Sequence, residues 1–66
     1  MKRWAHGKGG YIESAKIDAF IEEVLDVCKK HGFSIGHEDG HGAFEIEKFN
    51  ESSSSWLRNA HDVTDA

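Results

Sequence analysis

The chain has 66 residues, a formal net charge of −4 and an apolar fraction of 38%. A chain of this length holds one small domain, because it buries only about 60% of the surface that its unfolded form exposes. It has one cysteine, so an internal disulfide is excluded, and it lacks the run of about 20 apolar residues that a membrane span needs. We therefore expect a cytoplasmic protein that self-associates, most simply as a dimer, to bury more apolar surface.

Charge is unevenly distributed along the chain. Residues 1–16 hold four basic side chains and one carboxylate, which gives +3, whereas residues 17–66 carry −7. Because an acidic body repels a phosphate backbone, nucleic acid would have to bind the basic arm, residues 1–13, through Lys2, Arg3 and Lys8. The arm also contains the glycine-rich stretch "GKGG" and lacks the apolar run of a signal peptide. We interpret it as a solvated arm ahead of the folded domain, with nucleic-acid binding as an alternative.

The segment "SAKIDAFIEEVLDVCKKHG" carries the clearest periodicity. Counted from Ile17, apolar residues recur at offsets 0, 3, 4, 7, 8, 10 and 11, which fits a period of 3.6 residues and not a period of two. Ser14 can cap the start of a helix here, and Gly32 follows its basic last turn, where a left-handed residue is favoured. We predict an amphipathic helix between these two residues, with Cys28 on its buried side.

The stretches "FSIGH" and "AFEIEKF" alternate in polarity with a period of two, which is typical of strands. The turn formers between them, including Asp39-Gly40, predict an antiparallel hairpin. One face is expected to cover the helix and carries Phe33, Ile35, Phe44 and Ile46. The other face is expected to meet water or a partner and carries Ser34, Gly36, Glu45 and Glu47.

The segment "NESSSSWLRNAHDVTDA" predicts a short second helix over about residues 53–62. Asn50 or one of the serines can cap it, and it would place Trp56 and Leu57 on the hairpin or on the first helix. We expect residues 63–66 to fray. The predicted fold class is thus α+β, a single domain over residues 14–62 in the order helix, β-hairpin, short helix.

The turn "HEDGH" contains more ligand-type side chains than a turn requires. Side chains of His37, Asp39 and His41 are of the types that bind zinc, and an imidazole beside carboxylates can act as a general base. However, the surrounding glycines argue against the helix that would align a His-x-x-x-His pair, and so small a chain encloses little pocket.

We therefore predict a binding edge at this turn, without a catalytic role and without a cofactor. Its residues are Ser34, His37, Glu38, Asp39, His41 and Glu45. The alternative that stays open is a metal-dependent hydrolase or nuclease, in which His37, Asp39 and His41 hold zinc or another divalent metal.

The run "KIDAFIEEVLDVCKKHGFSIGHEDGHGAFEIEKFNE", followed by "WLRNAHD", resembles a group of small tailed-bacteriophage proteins. In that group a helix ending in "CKKHG" continues into "HEDGHGAF", and the resemblance covers residues 16–62. It brings no activity with it and implies a setting, the cytoplasm of an infected bacterium. By analogy with other small phage accessory proteins, it implies a binder of a host protein or of a small signalling ligand, which inhibits a bacterial anti-phage defence.

Overall fold

The computed structural model describes residues 1–38 and 40–64, which fold as a small α+β domain. Its elements in chain order are β1 (Lys2–Ala5), β2 (Gly10–Glu13), α1 (Ala15–His31), β3 (Phe33–His37), β4 (Phe44–Lys48) and α2 (Glu51–Arg58). Strand β1 pairs antiparallel with β2, and β3 pairs antiparallel with β4, so the strands form two separate hairpins. The predicted order of helix, hairpin and helix is confirmed, and residues 2–13 add a hairpin in front of it. None of the helices in the described part of the chain combines the length and the apolar character that a membrane span requires.

Helix α1 begins and ends where its capping residues are placed. The Ser14 hydroxyl accepts a hydrogen bond from the Ile17 amide at 3.3 Å, and Gly32 adopts a left-handed conformation with φ of 76°. The Gly32 amide donates to the Cys28 carbonyl at 2.9 Å, which closes the last turn. Leu25 and Cys28 are buried, so the prediction of an amphipathic helix with Cys28 in the core is confirmed.

The β3–β4 hairpin has the predicted strands, but the prediction of which face meets the helices is wrong. Ser34 and Gly36 are buried, whereas the side chains of Phe33, Phe44 and Ile46 are 55%, 73% and 70% exposed. The register pairs Ile35 with Ile46 and Phe33 with Lys48, which places the apolar side chains together on the outward side. The polar side of β3 therefore packs toward the body of the protein, whereas Glu45 and Glu47 on β4 are exposed.

Close approach of the α2 N-terminus explains this inverted packing. The Ser34 hydroxyl accepts the Asn50 amide at 2.9 Å, and the buried Ser54 hydroxyl donates to the Asn50 carbonyl at 3.2 Å. A Cβ on Gly36 would lie 2.9 Å from a carboxylate oxygen of Glu47, so a larger residue at this position would move the Glu47 side chain. Small side chains that satisfy backbone polar groups thus displace large apolar ones from the interior.

Helix α2 begins earlier and ends earlier than the predicted span of residues 53–62. Asn50 is its cap, as one of the two predicted choices, and its side-chain oxygen accepts the Ser53 amide at 2.8 Å. The helix ends at Arg58 because the chain beyond it pairs with β1 instead. The Asp62 amide donates to the Trp4 carbonyl at 2.8 Å, and a parallel bridge joins Asp62 to Ala5.

Arg3 links the N-terminal hairpin to both helices and is only 2% exposed. Its guanidinium donates to the carbonyls of Arg58 and Ala60 at 3.2 and 2.9 Å and to the Asp18 carboxylate at 2.6 Å. The expectation that this residue lies in a solvated arm is therefore wrong. Burial of a cation requires such partners, since an unpaired buried charge is strongly unfavourable.

Candidate functional site

The turn between β3 and β4 is organised by Glu38. Its carboxylate accepts hydrogen bonds from the Gly40 amide and, at 2.7 Å, from the His41 amide. The His41 Nδ1 lies 3.0 Å from the same carboxylate. The hydrogen bond from the Gly40 amide is the largest cause that holds the pKa of Glu38 below its ordinary value, and the hydrogen bonds from His41 act in the same direction. Gly42, with φ of 70°, completes the turn, and the Glu38 amide donates to the Ala43 carbonyl at 2.8 Å. Glu38 therefore stabilises the turn as an anion.

The two histidines of the turn point to different surroundings. His41 has a side chain that is 90% exposed and is held by Glu38. His37 is exposed at the end of β3, and its ring centroid lies 5.8 Å from that of Trp56 at an angle of 31°. Asp39 lies outside the described residues, so the predicted metal ligands His37, Asp39 and His41 stay a prediction. Within residues 1–38 and 40–64, no three His, Cys, Asp or Glu side chains are grouped to hold a metal ion.

A cleft of about 280 Å³ lies between the polar side of the hairpin and the start of α2. Its lining residues are Gly36, His37, Glu45, Glu47, Ser52, Ser53 and Trp56. The sequence predicted two of them, His37 and Glu45, as binding residues. Ser34, predicted with them, lies buried beneath α2 and is a packing residue. Trp56 and the two serines were missed as site residues, because only the close approach of α2 to the hairpin brings them to this cleft.

Negative charge dominates the cleft. The Ser53 hydroxyl and, with a smaller effect, the Asn50 side-chain amide donate hydrogen bonds to Glu47. These bonds hold the pKa of Glu47 below its ordinary value, so this carboxylate is ionised at neutral pH. Glu45 adds a second, exposed carboxylate to the lining of the cleft, which also includes Trp56. An aromatic face near carboxylates favours a cationic group. At about 280 Å³ the cleft is slightly smaller than the roughly 300 to 1,000 Å³ that ligand sites usually have.

The outward side of the β3–β4 hairpin is the second candidate surface, and we call it the outer face. It consists of Phe33, Ile35, Phe44 and Ile46, with His37 paired to Phe44 at one end and Lys48 paired to Phe33 at the other. Large apolar side chains grouped in water on one sheet are unusual for a monomer and mark interaction surfaces. On α1, Phe20 and Val27 are also more than half exposed and lie on one side of the helix, two turns apart.

Similarity to other proteins does not add to this description. No protein-family model matches the chain, and neither a curated protein nor a solved structure matches it.

Proposed function

We propose that the protein is a non-catalytic binding protein that contacts another protein with the outer face. The observation that carries the proposal is the exposure of Phe33, Phe44 and Ile46 on one side of a two-stranded sheet. Protein interfaces have apolar, aromatic-rich centres and polar rims. Lys48, paired with Phe33 at one end of the apolar pairs, supplies a polar group at the rim of this face.

The partner that fits has an apolar surface of its own, against which the outer face loses its contact with water. The resemblance to tailed-phage proteins supports a bacterial host protein as this partner and an accessory role during infection, such as inhibition of an anti-phage defence. The predicted binding edge at residues 37–41 follows directly on β3 and would extend the same contact. A small cationic ligand in the cleft beside Glu45 and Glu47 is the alternative that the charges of the cleft favour.

We also propose that two copies of the chain cover the outer face when the partner is absent. The described part of the chain buries few apolar side chains, which are Ala5, Ile21, Leu25 and Cys28. A core of this size gives a small domain only about 3 to 5 kcal/mol, so pairing of exposed apolar surface adds stability that the single chain lacks.

A double variant of the outer face tests both statements. Phe44→Thr with Ile46→Thr removes the apolar surface and keeps residues that are compatible with a strand. Tyr11→Thr is the matched control, because Tyr11 is 71% exposed on the other hairpin. We expect the unmodified protein and the control to self-associate in sedimentation equilibrium and to capture the same host protein from a bacterial lysate, and the double variant to do neither.

A second variant separates the outer face from the turn. Replacing His37, Asp39 and His41 together with asparagine keeps the four apolar side chains of the outer face, Phe33, Ile35, Phe44 and Ile46. Loss of capture in this variant alone would place the binding surface at the turn, as the sequence predicted. Circular dichroism must first show that all three variants are folded. If the double variant of the outer face then captures the host protein as well as the control does, the proposed function is wrong.

A further inference from the structure

We propose that His6 and His61 form a binding site for a divalent transition metal ion such as Zn²⁺ or Cu²⁺, which joins the N-terminal hairpin to the segment after α2. This site is separate from the turn at residues 37–41 and from the outer face. It does not depend on the proposed binding function.

The geometry of the two rings fits a shared metal ion. The His6 Nε2 and the His61 Nδ1 lie 3.0 Å apart, with ring centroids separated by 5.2 Å and ring planes at 50°. Imidazole nitrogens bind zinc at about 2.0 to 2.1 Å, which places two ligands of a tetrahedral site about 3.4 Å apart. Two adjacent ligands of a square-planar site at the same bond length are about 2.9 Å apart. The two nitrogens are thus close enough for one ion to bind both, once the rings turn out of the hydrogen bond that now joins them.

The backbone holds the two histidines in this arrangement. The His6 amide donates to the Asp62 carbonyl at 2.9 Å, and the Asp62 amide donates to the Trp4 carbonyl at 2.8 Å. Ala5 and Asp62 are buried on the inner side of this bridge, whereas His6 and His61 are exposed. A site positioned by main-chain hydrogen bonds needs little rearrangement when the ion binds.

Binding requires the hydrogen between the two facing nitrogens to leave that position. In the metal-free pair, one of the two facing nitrogens carries the hydrogen that the other accepts. The ion takes both lone pairs, so that hydrogen moves to the other nitrogen of its ring or is released to water. The Asp62 Oδ1 already accepts hydrogen bonds from the Thr64 amide and hydroxyl at 2.8 and 2.6 Å, and water would fill the remaining positions around the ion.

The proposal is tested by titrating Zn²⁺ into protein that carries no affinity tag. Isothermal titration calorimetry should show one ion per chain, and His6→Asn or His61→Asn should weaken binding by about tenfold or more. Asparagine is chosen because its amide can keep a hydrogen bond to the remaining imidazole. The matched control is His41→Asn, which removes another exposed imidazole and should leave the affinity unchanged.

Nuclear magnetic resonance of the unmodified protein keeps the test valid if a variant misfolds. The ring signals of His6 and His61 should shift together as the first equivalent of Zn²⁺ is added, and those of His31, His37 and His41 should not. Absence of binding, an unchanged affinity in folded His6→Asn and His61→Asn, or loss of binding in His41→Asn would overturn the proposal.

Discussion

Replacing Arg3 with methionine should remove most of the folding free energy of this protein. Methionine keeps the apolar length of the side chain and fills much of the space, but it donates no hydrogen bond. The carbonyls of Arg58 and Ala60 would then lose the guanidinium that now binds them at 3.2 and 2.9 Å. The end of α2 and the segment after it would lose a connection to β1.

The expected magnitude follows from these two hydrogen bonds. A hydrogen bond to a charged group contributes about 1.5 to 3 kcal/mol, and both carbonyl acceptors are partly accessible to water, so we take the lower value for each. The predicted loss is about 3 kcal/mol, against roughly 3 to 5 kcal/mol for the whole stability of a domain of this size. The ion pair with Asp18 is left out of this figure, because its carboxylate is in contact with water and is screened.

Urea unfolding followed by far-ultraviolet circular dichroism measures this loss. Lys2→Met is the matched control, because Lys2 is exposed on the same strand and its replacement should change stability by less than about 0.5 kcal/mol. We expect Arg3→Met to be largely unfolded or to have a much lower urea midpoint. Equal midpoints for the two variants would refute the role that we assign to the Arg3 guanidinium.

Two further predictions concern a helix end and acid stability. Gly32→Ala should lower the free energy of unfolding by about 1 kcal/mol, because φ at this residue is 76°. Gly10→Ala is the control and should cause no measurable loss, because a Cβ there meets no atom within 4 Å; thermal unfolding compares the two variants. The Arg3 guanidinium holds the pKa of Asp18 below its ordinary value of 3.8, so this carboxylate stabilises the fold above that pH, and its contribution is lost as the pH falls through the lower folded value. Asp18→Asn should therefore reduce the loss of stability between about pH 5 and pH 2, whereas Glu23→Gln, at an exposed position of the same helix, should not. Urea unfolding at a series of pH values measures this loss, and the same pH dependence in both variants would contradict the assignment.

Local signals in the sequence were sufficient for α1, β3, β4 and the presence of α2, but not for β1 and β2. Ser14, Gly32 and Asn50 each act on the backbone within a few residues, so they identify helix ends without knowledge of the rest of the fold. The alternation in "FSIGH" and "AFEIEKF" likewise identified both strands and their pairing. These features depend on neighbours in the chain.

The hairpin face could not be predicted from polarity alone. The rule that apolar residues lie inside assumes that polar ones remain unsatisfied when buried. Ser34 and Ser54 break this assumption, because both form hydrogen bonds to the backbone of Asn50. That contact depends on the position of α2, which no short stretch of the sequence specifies.

The candidate site was predicted only in part, because some of its contacts depend on the position of α2 and others on near neighbours in the chain. Glu38 and His41 are neighbours in the turn, and their contact follows from local spacing. Trp56 reaches His37 only through the packing of α2 on the hairpin. The pair of His6 and His61 depends on a contact across 55 residues of sequence, which neither segment reveals by itself.

The bond from Arg3 to the Ala60 carbonyl joins residues 57 positions apart. In a chain that has not yet folded, the Arg3 guanidinium meets water until the segment after α2 reaches it. Helix α1 and the β3–β4 hairpin involve near neighbours and are able to form earlier, since closing a short loop is faster and loses less entropy. These elements are therefore expected to form before the contacts of Arg3 with the segment after α2, which complete the fold.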